Sequence, residues 1–398
     1  MARRTDPTPA SDDSDALALS LVSGDLGFRL QRAIGLIPRA GLGVGRRALV
    51  LAALTWLPIA AWATWTGRAA GGAGEPLLQH FGVSVRCLVA IPLFVLAEAM
   101  AHTTTRRIFP YFLHSGLVPE PDHGRFAETL HGVARLRDRA QPWLVLAVLV
   151  AAWTLAAPTH AGVHELVWAE EAGSHRLGFG GFWFAYVVRP LYLLLALAWL
   201  WRLFLLAIAL TRVARLPLAI VPTHPDRAGG LGFLGTLPRS FALVVLGVAS
   251  VVAARWAHEV VYHGLALDAL RLPMIGFVVL MLVLVLAPLL AFAPRLAAAR
   301  RAALLDYGAL VGRHGRLVHQ RWIEGRPLAD DALLGAPELG PVADTLALHG
   351  AVRAMRPVPL DRGALLAIAL PAALPMLAVV AIRIPIQDLL REVLKAMA

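Results

Sequence analysis

The chain holds a single cysteine, Cys87, and it lies inside an apolar run. One thiol excludes an internal disulfide framework and a cysteine-based metal site within the chain. Lysine is equally scarce: Lys395 is the only one, so arginine carries the +11 formal net charge. With no lysine near its glycines, the chain has no Walker-type phosphate loop. Nor does any strand–turn–helix context support a dinucleotide fingerprint. There is no nucleophile with a base at recognisable spacing and no glycosyl- or phosphoryl-transfer motif, which argues against an enzyme and leaves no cofactor expected. No inverted repeat of the kind common in transporters is visible. The first 45 residues lack a short apolar core with a small-residue cleavage site, which predicts no cleaved signal peptide. Charge of either sign is sparse: 16% of residues are charged against 58% hydrophobic, a balance soluble domains rarely carry.

The apolar residues come in long blocks at 48–66, 83–102, 142–157, 182–210, 241–262, 273–292 and 363–382. Most are long enough to cross a hydrocarbon core of about 30 Å as a helix. The prediction is an all-α fold, a polytopic transmembrane helical bundle of about seven spans with amphipathic cytoplasmic helices. Arg29, Arg32, Arg39, Arg46 and Arg47 precede the first block, and Arg212, Arg215, Arg227 and Arg239 flank the stretch after the fourth. Arginine accumulates in loops retained in the cytoplasm, so this excess reads as membrane topology and no nucleic-acid partner is expected. The reading gives a cytoplasmic tail at 1–45 with residues 5–16 disordered, six spans at 46–292, and a cytoplasmic loop at 214–240. A cytoplasmic helical segment at 293–361 and a last span with an amphipathic tail at 362–398 follow. The lipid bilayer, that of the bacterial inner membrane, is the expected environment, with the N-terminus in the cytoplasm. Phe126, Leu130, Val133 and Leu136 fall at helical spacing, which predicts an amphipathic helix along the membrane face. Pro371 and Pro375 leave the last run open to kinking or re-entry.

The least repetitive stretch is VPTHPDRAGGLGF, residues 221–233, which gathers His224, Asp226, Arg227, Gly229, Gly230 and Gly232. Pro225 and Asp226 can start a turn, Asp226 can cap the amides that follow, and the glycines permit positive φ and close approach to helices. This loop, with RCLVAIPL from Arg86 and the later Ala97-Glu98, Leu333-Leu334-Gly335, and MRPVPL ending at Leu360, resembles an uncharacterised family of bacterial multi-pass membrane proteins. The likeness covers most of the chain beyond the N-terminal tail. It implies membrane architecture and brings no activity with it.

Two groups of ionisable residues fall within the spans. At 1.5 Å per helical residue, Arg86, Arg189 and the trio Arg255, His258 and Glu259 lie toward the outer ends of three helices. Ionisable groups there are unfavourable and usually face the bundle or a wet cavity. Three arginines against one glutamate suit an anion-binding vestibule; the plainer reading pairs Glu259 with Arg255 or Arg86 and lets the other arginines snorkel. The second group joins Glu98, His102 and Arg202 to His224 and Asp226 at an inner level, as a gate or proton relay. Its plainer reading is a structural corner. His160 and His164 are four apart and could share a metal on a helix, but Gly162 weakens that helix and solvated loop histidines are the simpler reading, so no metal is expected. The composition therefore suggests a transporter or channel for a small anionic or proton-coupled solute, with Glu98 in the pathway. The alternatives are a sensor or scaffold binding a protein partner through 293–361, and a membrane enzyme on a lipid or phosphate-bearing substrate.

Overall fold

A computed structural model describes residues 19–38, 41–71, 76–157, 164–170, 177–326 and 340–383. The expected disordered stretch at 5–16, His160, the Leu333-Leu334-Gly335 break and the amphipathic tail lie outside these residues, as does the side chain of His164. The described chain forms helices α1 (Leu26–Ala33), α2 (Val44–Trp65), α3 (Phe81–His114), α4 (His123–Asp138), α5 (Ala140–Ala156) and α6 (Phe179–Ala214). A 3-10 stretch, Gly232–Phe241, leads into α7 (Ala242–Tyr262), followed by α8 (Leu267–Leu286), α9 (Ala293–Val318), α10 (Gly340–Ala354) and α11 (Arg362–Arg383). No strand occurs among the described residues; Glu170 and Leu177 form an isolated antiparallel bridge.

Six helical stretches are long and apolar enough to cross a membrane, or seven if α4 and α5 act together across their 40° bend. Alone, the 17 residues of α5 reach about 25 Å, the short end of what a bilayer requires. The fold is therefore an all-α polytopic bundle. The 215–241 segment marks one end, called here the loop face, and the opposite end is the far face.

The main core joins α3, α6 and α7 along the loop-face side, with Phe94, Phe109, Phe112, Leu206, Leu210, Leu234 and Phe292 buried in it. A second cluster, with Ile59, Leu77, Cys87, Trp168 and Phe184, closes the far end of α2, α3 and α6. The last run is not re-entrant. α11 starts beside the loop, where Asp361 caps it by accepting the Ala364 N–H at 2.7 Å. It ends with Met376 and Val379 packed among Ala257, Val260, Leu270 and Met274 at the far face. Helix α4 also departs from expectation. Its Phe126, Leu130 and Val133 are buried in the protein core against residues of α3 and α6, so that stripe faces protein rather than lipid. α5 shows the lipid-facing pattern instead, with Leu144, Val145, Val148, Trp153 and Leu155 exposed.

Two spans widen locally. α3 makes a π-turn at Arg86–Ala90 and α6 another at Phe184–Val188, where Ile91 N–H bonds to Arg86 O and Arg189 N–H to Phe184 O. In each case a proline, Pro92 or Pro190, stands second after the turn. Proline lacks the N–H and its ring clashes with the carbonyl one turn back, and a wider turn relieves both defects.

Candidate functional site

The far-face residues picked out from the sequence come together. Arg86 of α3, Arg189 of α6, and Arg255, His258 and Glu259 of α7 line one cavity of 890 Å³. The π-turns aim two of them, since Arg86 opens the turn in α3 and Arg189 directly follows the one in α6. The Arg86 guanidinium lies 5.3 Å from the ring centres of both Phe184 and Tyr192, and that of Arg189 lies 5.3 Å from Phe184. Aromatic faces attract cations and hold the guanidinium planes. His258 is buried, stacks on His80 at 4.9 Å and shares a 3.2 Å hydrogen bond with the Gln79 carbonyl. His80, in sequence merely a loop residue, is thus part of the cavity wall. Arg255 is exposed and Glu259 half-buried. Among the described residues no ion pair joins Arg255 to Glu259. Apolar walls such as Leu193, Val252 and Leu270 lower the local dielectric, which strengthens the pull of three guanidiniums on an anion.

The second group divides in two. Glu98 does not line the cavity. It is buried beneath it in a network of two guanidiniums and two carboxylates. Arg47 of α2 approaches Glu98 Oε2 at 2.5 Å, and Arg202 of α6 lies 2.9 Å from both Glu98 Oε1 and Asp25 Oδ2. All four side chains are 4% exposed or less. Gln31 Oε1 accepts from Arg47 Nε at 2.6 Å, Asp25 Oδ1 accepts the Phe28 N–H at 2.6 Å as the α1 N-cap, and Arg202 lies 5.0 Å over the Trp199 ring. The matched charges and these further bonds are what a buried ion network requires. His102 stands one turn beyond Glu98 and shares a 2.8 Å hydrogen bond with Ser20 Oγ. Asp25, Gln31 and Ser20 belong to the segment read as a tail; here Leu19, Leu21, Val22 and Phe28 are buried in the bundle. Sequence reasoning missed this. The available signal was an acidic residue set between apolar residues directly before a helix, and an arginine within the first turn of a span.

His224 and Asp226 are not part of that network. Asp226 is enclosed by its own loop: Oδ1 accepts the N–H groups of Ala228 at 2.7 Å and Gly230 at 3.2 Å, and Oδ2 that of Gly232 at 2.8 Å. His224 Nδ1 lies 2.9 Å from Oδ1. Burial raises the Asp226 carboxyl, but the three N–H donors and His224 outweigh it and hold the group below its ordinary value. Arg227 and Gly229 take positive φ, 56° and 66°, and a Cβ on Gly229 would stand 2.4 Å from Ile220 Cγ2. Arg356, in the segment before α11, donates its backbone N–H to Arg227 O at 2.7 Å and its side chain to Asp226 O at 2.9 Å. The loop is a clasp tying α6, α7 and the start of α11. The grouping of His224 and Asp226 with Glu98 fails because this carboxylate spends its acceptor capacity on local amides. Among the described residues no group of three potential metal-ligating side chains is found.

Comparison with family models, curated proteins and solved structures gives no match.

Proposed function

We propose that the protein is a transporter or channel that receives a small anionic solute through the far-face cavity. The observation that carries this reading is the convergence of Arg86, Arg189 and Arg255 from three spans on one cavity, with one glutamate among its described lining residues. A carboxylate or phosphate suits planar guanidiniums held over aromatic faces. His258 and Glu259 are the titratable groups on the same wall, where proton coupling would act. In this reading the loop face is cytoplasmic, as the arginine-rich loops suggest, the membrane is the bacterial inner one, and the chain is one of the multi-pass family its motifs resemble. The test is flux of chloride, phosphate and small carboxylates in liposomes, beside thermal stability in detergent with the same anions. Transport and a stability shift with one anion, both lost in Arg189→Gln and Arg255→Gln, support the proposal. Neither flux nor binding with any anion overturns it.

A second reading, a partner-binding scaffold, draws on α9 and α10. Leu305 of α9, Trp322 of the π-turn His319–Ile323 that continues it, and Leu346 of α10 are exposed. Retention of one defined protein by the intact chain, lost in Leu305→Glu, would favour it.

A further inference from the structure

Helix α6 carries two adjoining hollows that the cavity does not use. The first is an apolar groove of 600 Å³ between α5, α6 and the chain after α8, lined by Leu146, Leu149, Leu200, Phe204, Leu284 and Thr211 among others. The second is a pocket of 570 Å³ at the loop face between α4 and the end of α6, where Arg125, Arg135, Arg212 and Arg215 meet one acidic residue among the described lining residues, Glu128. The two are continuous in the chain: Thr211 ends the apolar groove and Arg212 opens the basic pocket. On the opposite wall α4 supplies the basic part and α5 the apolar part. The α6 residues Leu200, Phe204, Thr211 and Arg215 recur at helical spacing, so one face passes from hydrocarbon-compatible to cationic. The end of α6 would ordinarily present unpaired carbonyls unfavourable to an anion. Arg295 removes that obstacle by donating to the carbonyls of Arg215 and Leu216, each at 2.7 Å.

We propose that this face binds an anionic phospholipid, with its phosphate in the arginine pocket and an acyl chain along the groove. The charge step matches the ligand's own division. Arg125 pairs with Asp122 at 3.1 Å; the other three arginines make a negative headgroup favourable, and the groove has almost no polar surface to hold a solute that lacks a hydrocarbon chain. A zwitterionic lipid satisfies the groove but not the excess positive charge. The site shares no lining residue with the far-face cavity, so it stands whether or not the transport reading does.

The experiment uses the full chain in neutral detergent. Native mass spectrometry with equal amounts of phosphatidylglycerol and phosphatidylcholine of identical acyl chains reads retention directly on the unaltered protein. Thermal stability is then followed with each lipid and with inorganic phosphate or glycerol phosphate. Selective retention of phosphatidylglycerol, on the order of tenfold, is expected, with a stability shift that soluble phosphates do not reproduce. In Arg135→Gln/Arg212→Gln the preference collapses while melting without lipid stays close to that of the parent. Should that variant fail to fold, Ala207→Trp, which fills the groove, is expected to lower retention of both lipids. Equal retention of the two lipids by the unaltered protein overturns the proposal. A preference undiminished in the folded arginine variant, or an equal shift with soluble phosphate, also overturns it, the last by pointing to a free-anion pocket.

Discussion

The far-face cavity and the buried network draw the same residue types from two shared helices, α3 and α6. Arg86 and Glu98 lie twelve residues apart on α3, and Arg189 and Arg202 thirteen apart on α6, so about 18–20 Å of helix separates the two levels. Their surroundings differ. In the network every charge has a charged partner within 3 Å and almost no water. In the cavity, the Arg86 and Arg189 guanidiniums rest on aromatic rings, and among the described lining residues three arginines meet one carboxylate around an 890 Å³ space. Charge matched pair by pair closes a bundle; guanidiniums lining a void are where the proposed anion would bind. An ionisable residue within a span therefore reveals its role through its partners, and residue type alone does not decide it.

Breaking the network should have the largest effect. Glu98→Ala leaves two buried guanidiniums with one carboxylate between them and is expected to destabilise the folded protein by about 3–5 kcal/mol, read by heat or denaturant in detergent. A loss below about 1 kcal/mol would erase the distinction between the two levels. Gly229→Ala comes next, at about 1–3 kcal/mol, because the backbone there is left-handed and a Cβ would meet Ile220. The Asp226 clasp is smaller and depends on pH. Its folded-state pKa is depressed, so its contribution is complete above the unfolded value of about 3.9 and is lost as pH falls through the folded value. Melting temperature against pH should decline more steeply over this acid window in the parent than in Asp226→Asn; parallel curves would remove the linkage. Arg255→Gln should change stability least, within about 0.5 kcal/mol, since that side chain is exposed. Under the transport proposal its effect falls on anion binding, and a large loss of stability there would class the cavity with the network.

The spans were legible because apolar blocks of helical length have few alternatives in lipid. The shared depth of Arg86, Arg189 and Arg255 followed from counting residues, since a straight helix converts sequence position into height. The aromatic seats of Arg86 and Arg189 did not follow, because they depend on π-turns at 86–90 and 184–188 that shift the register of each helix. Pro92 and Pro190 were the visible cue. Asp25 was illegible for another reason: its partner Arg202 is 177 residues away, and no local periodicity reports a contact of that range. For α4 the periodicity identified the buried stripe correctly but could not tell a protein core from lipid, as both accept Phe126 and Leu130.

The position of Asp25 in the chain sets an order of assembly. Residues 19–33 leave the ribosome before α2, α3 and α6, yet the site that receives Asp25 needs those three already side by side. The earliest translated part of the described chain thus seats only after helices made later than itself. Until it does, Arg202 shares Glu98 with Arg47 and the bundle holds one uncompensated positive charge. Docking of the N-terminal segment completes the ion network, and a newly inserted chain whose segment is held away, by a bulky fusion or by passage to the wrong side of the bilayer, would keep that charge uncompensated with its spans in place.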